Sequence, residues 1–142
     1  MVGVIAALVS GALMSIQGVF NTDVTKQTSL WVSASFVQFT ALLVCLAAWL
    51  ICDRTSFRSL FEISDKYVLL GGVIGAFITA TVIWSMNGLG PAKAAMLIVI
   101  SQLTVAWFIE LAGIFGMEKQ PFSMRKLLGL LIAAAGVITF EL

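Results

Sequence analysis

Three stretches of the chain carry no Asp, Glu, Lys or Arg: Met1 to Thr22, Gln27 to Cys52 and Tyr67 to Ala92. Each exceeds the ~20 residues that take an α-helix across the hydrocarbon of a bilayer. None shows the period-2 alternation of a half-buried strand, and each is far longer than the ~9–11 residues of a membrane strand. Lipid offers the backbone no hydrogen-bond partner, so each run predicts a helix that satisfies its own N–H and C=O groups. Helices are expected at about 2–21, 29–52, 64–89, 91–117 and 123–140, forming one five-helix domain over residues 1–142. Glu110 interrupts the fourth. The fifth is short, with only Leu127 to Phe140 uncharged and with Arg125 and Lys126 placed to reach the interface from its start. Ser64 and Ser123 suit N-caps and Pro91 a first helical turn, while Gly88 and Gly90 loosen the turn before it. The N-terminal run lacks the basic residues of a signal peptide and exceeds the usual apolar length of about 7–15 residues, so it reads as a retained span.

Composition makes the membrane reading firm. The 142 residues are 61% hydrophobic and 11% charged, against about 45–50% and about 25% in soluble domains, and mean hydropathy is +1.09. The class is an all-α integral membrane protein. Eight basic and seven acidic residues leave a charge of +1, and His is absent. No basic patch is available for nucleic acid, no imidazole for a metal or a catalytic triad, and no Gly-x-x-x-x-Gly-Lys loop for nucleotide. The chain is therefore read as no enzyme, with no metal and no cofactor. Cys45 and Cys52 lie about 10 Å apart along one helix, too far for a disulfide, and are expected as small buried apolar residues.

Orientation follows from the basic residues in the loops. Arg54, Arg58, Lys66, Lys119, Arg125 and Lys126 fall on the N-terminal side, and Lys26 and Lys93 on the other. This places the N-terminus in the cytoplasm and the C-terminus outside an inner (plasma) membrane crossed several times. The sign-alternating loop from Asp53 to Lys66 reads as a solvated connector.

Polar residues inside the spans carry the candidate chemistry. Ser10, Met14, Gln17 and Asn21 recur at helical spacing and share one face. Gln17 and Asn21 either line a substrate path or bond neighbouring helices. On the second helix Ser35 and Gln38 share a face, with Trp31 and Trp49 as interfacial anchors. Gly71, Gly75 and Thr79 form a small-residue ridge on the third helix, read as packing, and Trp84 is a candidate wall of a cavity. Gln102 and Glu110 lie on the fourth helix, roughly 80° apart around its axis. A charged carboxylate in a span costs at least about 2.5–3.5 kcal/mol, and protonation lowers that cost. Glu110 is thus either an ion-coupling group or a structural carboxylate reaching polar surroundings. Gly129, Ala133 and Gly136 make a second small-residue ridge, a packing or dimer face.

Together these motifs resemble the YdcZ-like half-size members of the drug/metabolite transporter superfamily. The resemblance rests on Gly11, Gln17 and Asn21, on Gly71 to Gly75, on Leu89-Gly90-Pro91-Ala92, and on Gln102, Glu110, Gly113 and Gly116. Arg125 to Gly129 and Gly136-Val137 extend it across nearly the whole chain. Ser101 and Glu110 depart from the family pattern, which has Gly and Asp there. The resemblance implies half of an inverted-repeat transporter, paired with an oppositely oriented unit.

The expected function is transport of a small metabolite, organic cation or amphiphile by alternating access across a dimer interface, with Gln17, Asn21, Gln38, Trp84 and Gln102 at the substrate and Glu110 as a proton-coupling candidate. A lipid or amphiphile translocator and a non-transporting scaffold subunit are the alternatives. The expected partners are the bilayer, a small-molecule substrate, and an antiparallel second copy or an oppositely oriented sibling chain.

Overall fold

A computed structural model describes residues 1–141, and every regular element among them is a helix. The helices are α1 (Val2–Gln27), α2 (Leu30–Ala48), α3 (Gly71–Leu89), α4 (Pro91–Ala112) and α5 (Met124–Glu141). A π turn spans Trp49–Asp53, and 3₁₀ turns span Phe57–Glu62 and Lys66–Leu70. The five expected helices are all present. Four segments are long and apolar enough to cross a bilayer: Val2–Gln27, Leu30–Asp53, Lys66–Leu89 and Pro91–Ala112. In α5, Arg125, Lys126 and Glu141 confine the uncharged stretch to Leu127 to Phe140. Large apolar side chains face outward throughout, among them Leu8, Phe36, Phe77, Phe108 and Ile132. Such a surface suits lipid and would aggregate in water.

The chain forms two compact units, Met1–Gly88 and the part from Leu89 onward. In the first, α1 runs past its expected end at 21 because polar residues continue the helix. Thr22, Thr25 and Thr28 donate to the carbonyls of Gly18, Asn21 and Val24 at 2.7–2.8 Å, a back-bond that lets hydroxyls sit in a helix without an outside partner. Ser29 caps α2, accepting from the Val32 N–H at 3.3 Å. α2 closes in the π turn, where the Arg54 N–H bonds the Trp49 carbonyl five residues back at 2.9 Å and Arg54 adopts φ 58°. The Trp49 indole then donates to the Thr55 carbonyl at 2.8 Å, and its ring centroid lies 4.7 Å from that of Phe57. Ser64 does not cap α3. A 3₁₀ turn precedes that helix, and Asp65 at its start makes no side-chain cap. Cys45 and Cys52 are free and exposed rather than buried.

Small residues set the packing of this unit, as expected where lipid removes the hydrophobic drive between helices. At Gly18 a Cβ would lie 2.5 Å from the end of Met86 and 3.3 Å from Val82, so α1 meets α3 at close range. Wholly buried Ser33 donates to the Asn21 carbonyl at 3.0 Å, tying α2 to α1. Ala34, Ala80, Ile83 and Met86 complete a thin core.

In the second unit, Gly90 at φ 82° and Pro91 in the first turn open α4. The helix ends at Ala112 instead of continuing to 117. Gly113 takes φ 65° and its N–H bonds the Ile109 carbonyl at 2.9 Å. The chain then folds back, with the Gln120 N–H on the Glu110 carbonyl at 2.8 Å. α5 follows from Ser123, whose carbonyl accepts the Leu127 N–H at 3.1 Å, and packs on α4 as a hairpin.

Candidate functional site

In the first unit, α1 and α2 enclose a groove of about 510 Å³, within the ~300–1,000 Å³ range of small-molecule sites. Its walls are apolar (Phe20, Val24, Phe36, Val37, Val44), its polar groups are Gln17, Asn21, Ser33 and Thr40, and no charged side chain lines it. The hydroxyls are already engaged. Ser33 donates to Asn21, and Thr40 to the Phe36 and Val37 carbonyls at 3.0 Å. The side-chain amides of Gln17 and Asn21 make no hydrogen bond among the described residues, so they keep donors and acceptors for another molecule. Ser10, Met14, Gln17 and Asn21 line one concavity along α1, as their spacing predicts.

Gln38 faces α3. Its amide Nε2 donates to the Thr79 hydroxyl at 3.4 Å, and that hydroxyl donates to the Gly75 carbonyl at 3.0 Å. A Cβ on Gly75 would lie 3.9 Å from the same amide, an ordinary contact, whereas one on Gly71 would meet open space. Trp84 is 70% exposed and lines neither concavity of α1.

In the second unit, Glu110 occupies the last turn of α4 and forms an ion pair with Lys126 in the first turn of α5. The two side chains line a cleft of about 320 Å³ together with Leu103, Ala106, Trp107, Gly129 and Leu130. The early end of α4 explains the position. Once the helix stops at Gly113, a carboxylate expected within a span stands at the mouth of a hairpin, within reach of a cation. Gln102 is exposed on α4. On α5 a Cβ at Gly129 or Gly136 would meet open space, and Ala133 between them is half-buried.

Two participants, Gly18 and Ser33, are not singled out in the sequence reading, and a third, Lys126, has a different role from the one its position predicts. Gly18 belongs to a small-residue line through Gly11, Ser15 and Thr22 that spacing alone could have shown. Ser33 is one of several Ser residues near the start of α2, and nothing local distinguishes it from Ser35. Lys126 was expected as an interfacial anchor, although an acid at the end of one hairpin helix and a base at the start of the next are a legible pair.

Helices of this length and hydropathy, with free amides in a charge-free groove, make the chain a multi-pass α-helical membrane protein. The sequence model of the family described as "Putative inner membrane exporter, YdcZ" matches residues 2–139, and the chain belongs to that family. It is an inner-membrane protein of a transporter family. No curated protein and no solved structure matches it.

Proposed function

We propose that this chain is one half of an exporter of small amphiphilic or weakly polar organic compounds, working by alternating access, with the α1–α2 groove closed by a second, oppositely oriented copy. The observation that carries the reading is the groove itself: apolar walls, no charged lining, and the unbonded amides of Gln17 and Asn21. An amide facing lipid leaves its donors unsatisfied, so Gln17 and exposed Gln102 call for water, substrate or a second protein surface. A charge-free groove disfavours a compact ion and suits a compound with a large apolar body and a few hydrogen-bonding groups.

Gln38 serves as a helix tie through Thr79, and Glu110 as a clamp between α4 and α5 through Lys126. This clamp role is favoured over proton carriage because the carboxylate already has a cation and sits in the final turn of its helix. The open ridge of Gly129, Ala133 and Gly136 is available to the second copy. The loop charges favour a cytoplasmic N-terminus by six basic residues against two, so the homodimer requires that bias to be overridden in part of the population.

The test is efflux of fluorescent amphiphilic dyes from vesicles reconstituted with the protein, alongside labelling of Cys45, which lines the groove. In a Cys52→Ser background, a transported dye should slow maleimide reaction at Cys45, and Gln17→Ala should lower flux at unchanged folded yield. Wild-type flux in Gln17→Ala together with unprotected Cys45 would remove the groove from the transport path.

A further inference from the structure

The second span ends at Asp53 and the third begins at Lys66, and the chain between them is tied to both ends. At the near end the Trp49 indole N–H holds the Thr55 carbonyl, and Phe57 stacks on the same ring. At the far end the Lys66 ammonium donates to the Phe61 carbonyl at 2.6 Å. Between these ties runs the 3₁₀ turn Phe57–Glu62. Ser56 opens it, its hydroxyl accepting from the Arg58 N–H at 3.3 Å and its carbonyl from the Ser59 N–H at 3.1 Å. A Trp at the end of a span sits at headgroup level. A turn pinned to that Trp on one side, and to the first residue of the next span on the other, is held in the same layer.

Side chains three apart eclipse in a 3₁₀ turn, so these six residues form three rows. Phe57 and Leu60 make the first, with Phe57 packed on Trp49. Ser59 and Glu62 make the second, which is wholly polar. Arg58 and Phe61 make the third, where the long stem of an arginine can lie along apolar surroundings while its head returns to the phosphates. Phe61 is 83% exposed and Leu60 44%, so the chain itself leaves both open. Val68 and Leu69, exposed in the first turn of the next span, carry the apolar surface on from Lys66.

Sign alternation alone predicts a solvated connector, and the same charges show what attracts it to the membrane. Arg54, Arg58 and Lys66 are balanced by Asp53, Glu62 and Asp65. Two of the three cations also serve backbone carbonyls, Arg54 that of Leu50 at 2.7 Å and Lys66 that of Phe61. No surplus of positive charge draws the segment to anionic headgroups, so the attraction is burial of apolar side chains already held beside lipid.

We propose that the connector between α2 and α3 is an interfacial membrane anchor. Leu60 and Phe61 lie in the headgroup–acyl boundary of the bilayer, Ser59 and Glu62 face water, and Arg58 reaches lipid phosphate. The anchor belongs to a single chain and depends neither on the exporter reading nor on a second copy.

The test is spin labelling of the full chain in phosphatidylcholine vesicles, with Cys45→Ala and Cys52→Ala and one new cysteine at a time, Phe61→Cys or Glu62→Cys. Collisions with oxygen, which dissolves in lipid, and with a water-soluble nickel chelate give the depth of each label. The label at 61 should lie about 5–10 Å into the interfacial layer, and the label at 62 at or above the phosphates. Should Phe61→Cys not fold, Leu60→Cys carries the same prediction. A label at 61 as open to the nickel chelate as the label at 62 would return the connector to water. A label at 61 shut off from both reagents would place it under protein, a second copy included. Either result overturns the proposal, as does a depth reached only when phosphatidylglycerol is added, which would assign the contact to charge.

Discussion

Gly18 and Met86 occupy the same contact between α1 and α3: a Cβ at position 18 would stand 2.5 Å from both Sδ and Cε of Met86. Two long helices approach there because one residue has no side chain. The atoms in the way are the far end of a flexible thioether, which can swing aside, while Val82 at 3.3 Å adds a stiffer, β-branched wall.

Gly18→Ala should therefore fold with a modestly lowered melting temperature, and Gly18→Leu should lose folded yield. The loss for Ala is about 1–3 kcal/mol, the usual range for overpacking. Size-exclusion yield and thermal unfolding in detergent check both. Wild-type stability in Gly18→Leu would mean that the α1–α3 contact does not hold the unit together.

Ser33 is wholly buried and donates to the Asn21 carbonyl, which also accepts from Thr25 at 2.8 Å. Ser33→Ala removes one of the two side-chain donors to that carbonyl and leaves no orphan, so the expected cost is about 0.5–1.5 kcal/mol, towards the lower end. Ser33→Leu should cost more, because the site has no space for it. The same thermal measurement distinguishes the two.

The membrane helices were legible because charge-free runs admit one solution in lipid. What closes them was not. Ile114, Phe115 and Met117 are apolar, so hydropathy carries α4 onward to 117, whereas the helix stops at a left-handed Gly113 that hydropathy cannot register. That five-residue difference moves Glu110 from a span interior to a hairpin mouth and changes what it can touch. The π turn at Trp49 is hidden in the same way, since its residues read as continuing helix. The polar stripe on α1 was legible from spacing alone. Which amide stays free and which is consumed was not: Gln38 is bonded to Thr79 and Gln17 is not, a matter of which helix lies opposite.

At Gly113 two demands coincide. The residue holds φ 65°, and a Cβ would fall 2.8 Å from the Cβ of Lys119. Gly113→Ala should destabilise the protein by about 1–3 kcal/mol, since a left-handed non-glycine residue and a backbone clash both act there. The readout is thermal stability, with Gly116→Ala as the comparison. Gly116 holds φ 78° but has open space around it, so its loss should be the smaller.

The Glu110–Lys126 pair is partly exposed, and each partner alone should contribute little to stability. Glu110→Ala or Lys126→Ala should lower stability by about 0–1 kcal/mol. The exchange Glu110→Lys with Lys126→Glu should recover part of what either single charge reversal loses. No recovery in the exchange would place the stabilising role of Glu110 elsewhere than on Lys126.

The proposed exporter requires a second copy lying upside down against the first, and topology labelling tests that most directly. Single cysteines introduced as Phe57→Cys and Gln120→Cys, in a chain with Cys45→Ala and Cys52→Ala, would be reacted with a membrane-impermeant maleimide from each side of intact cells and inverted vesicles. Both positions should label from both sides in comparable amounts, because each copy presents its loops to the opposite face. Labelling of both from one side only, with no oppositely oriented sibling chain co-purifying, would contradict the inverted dimer.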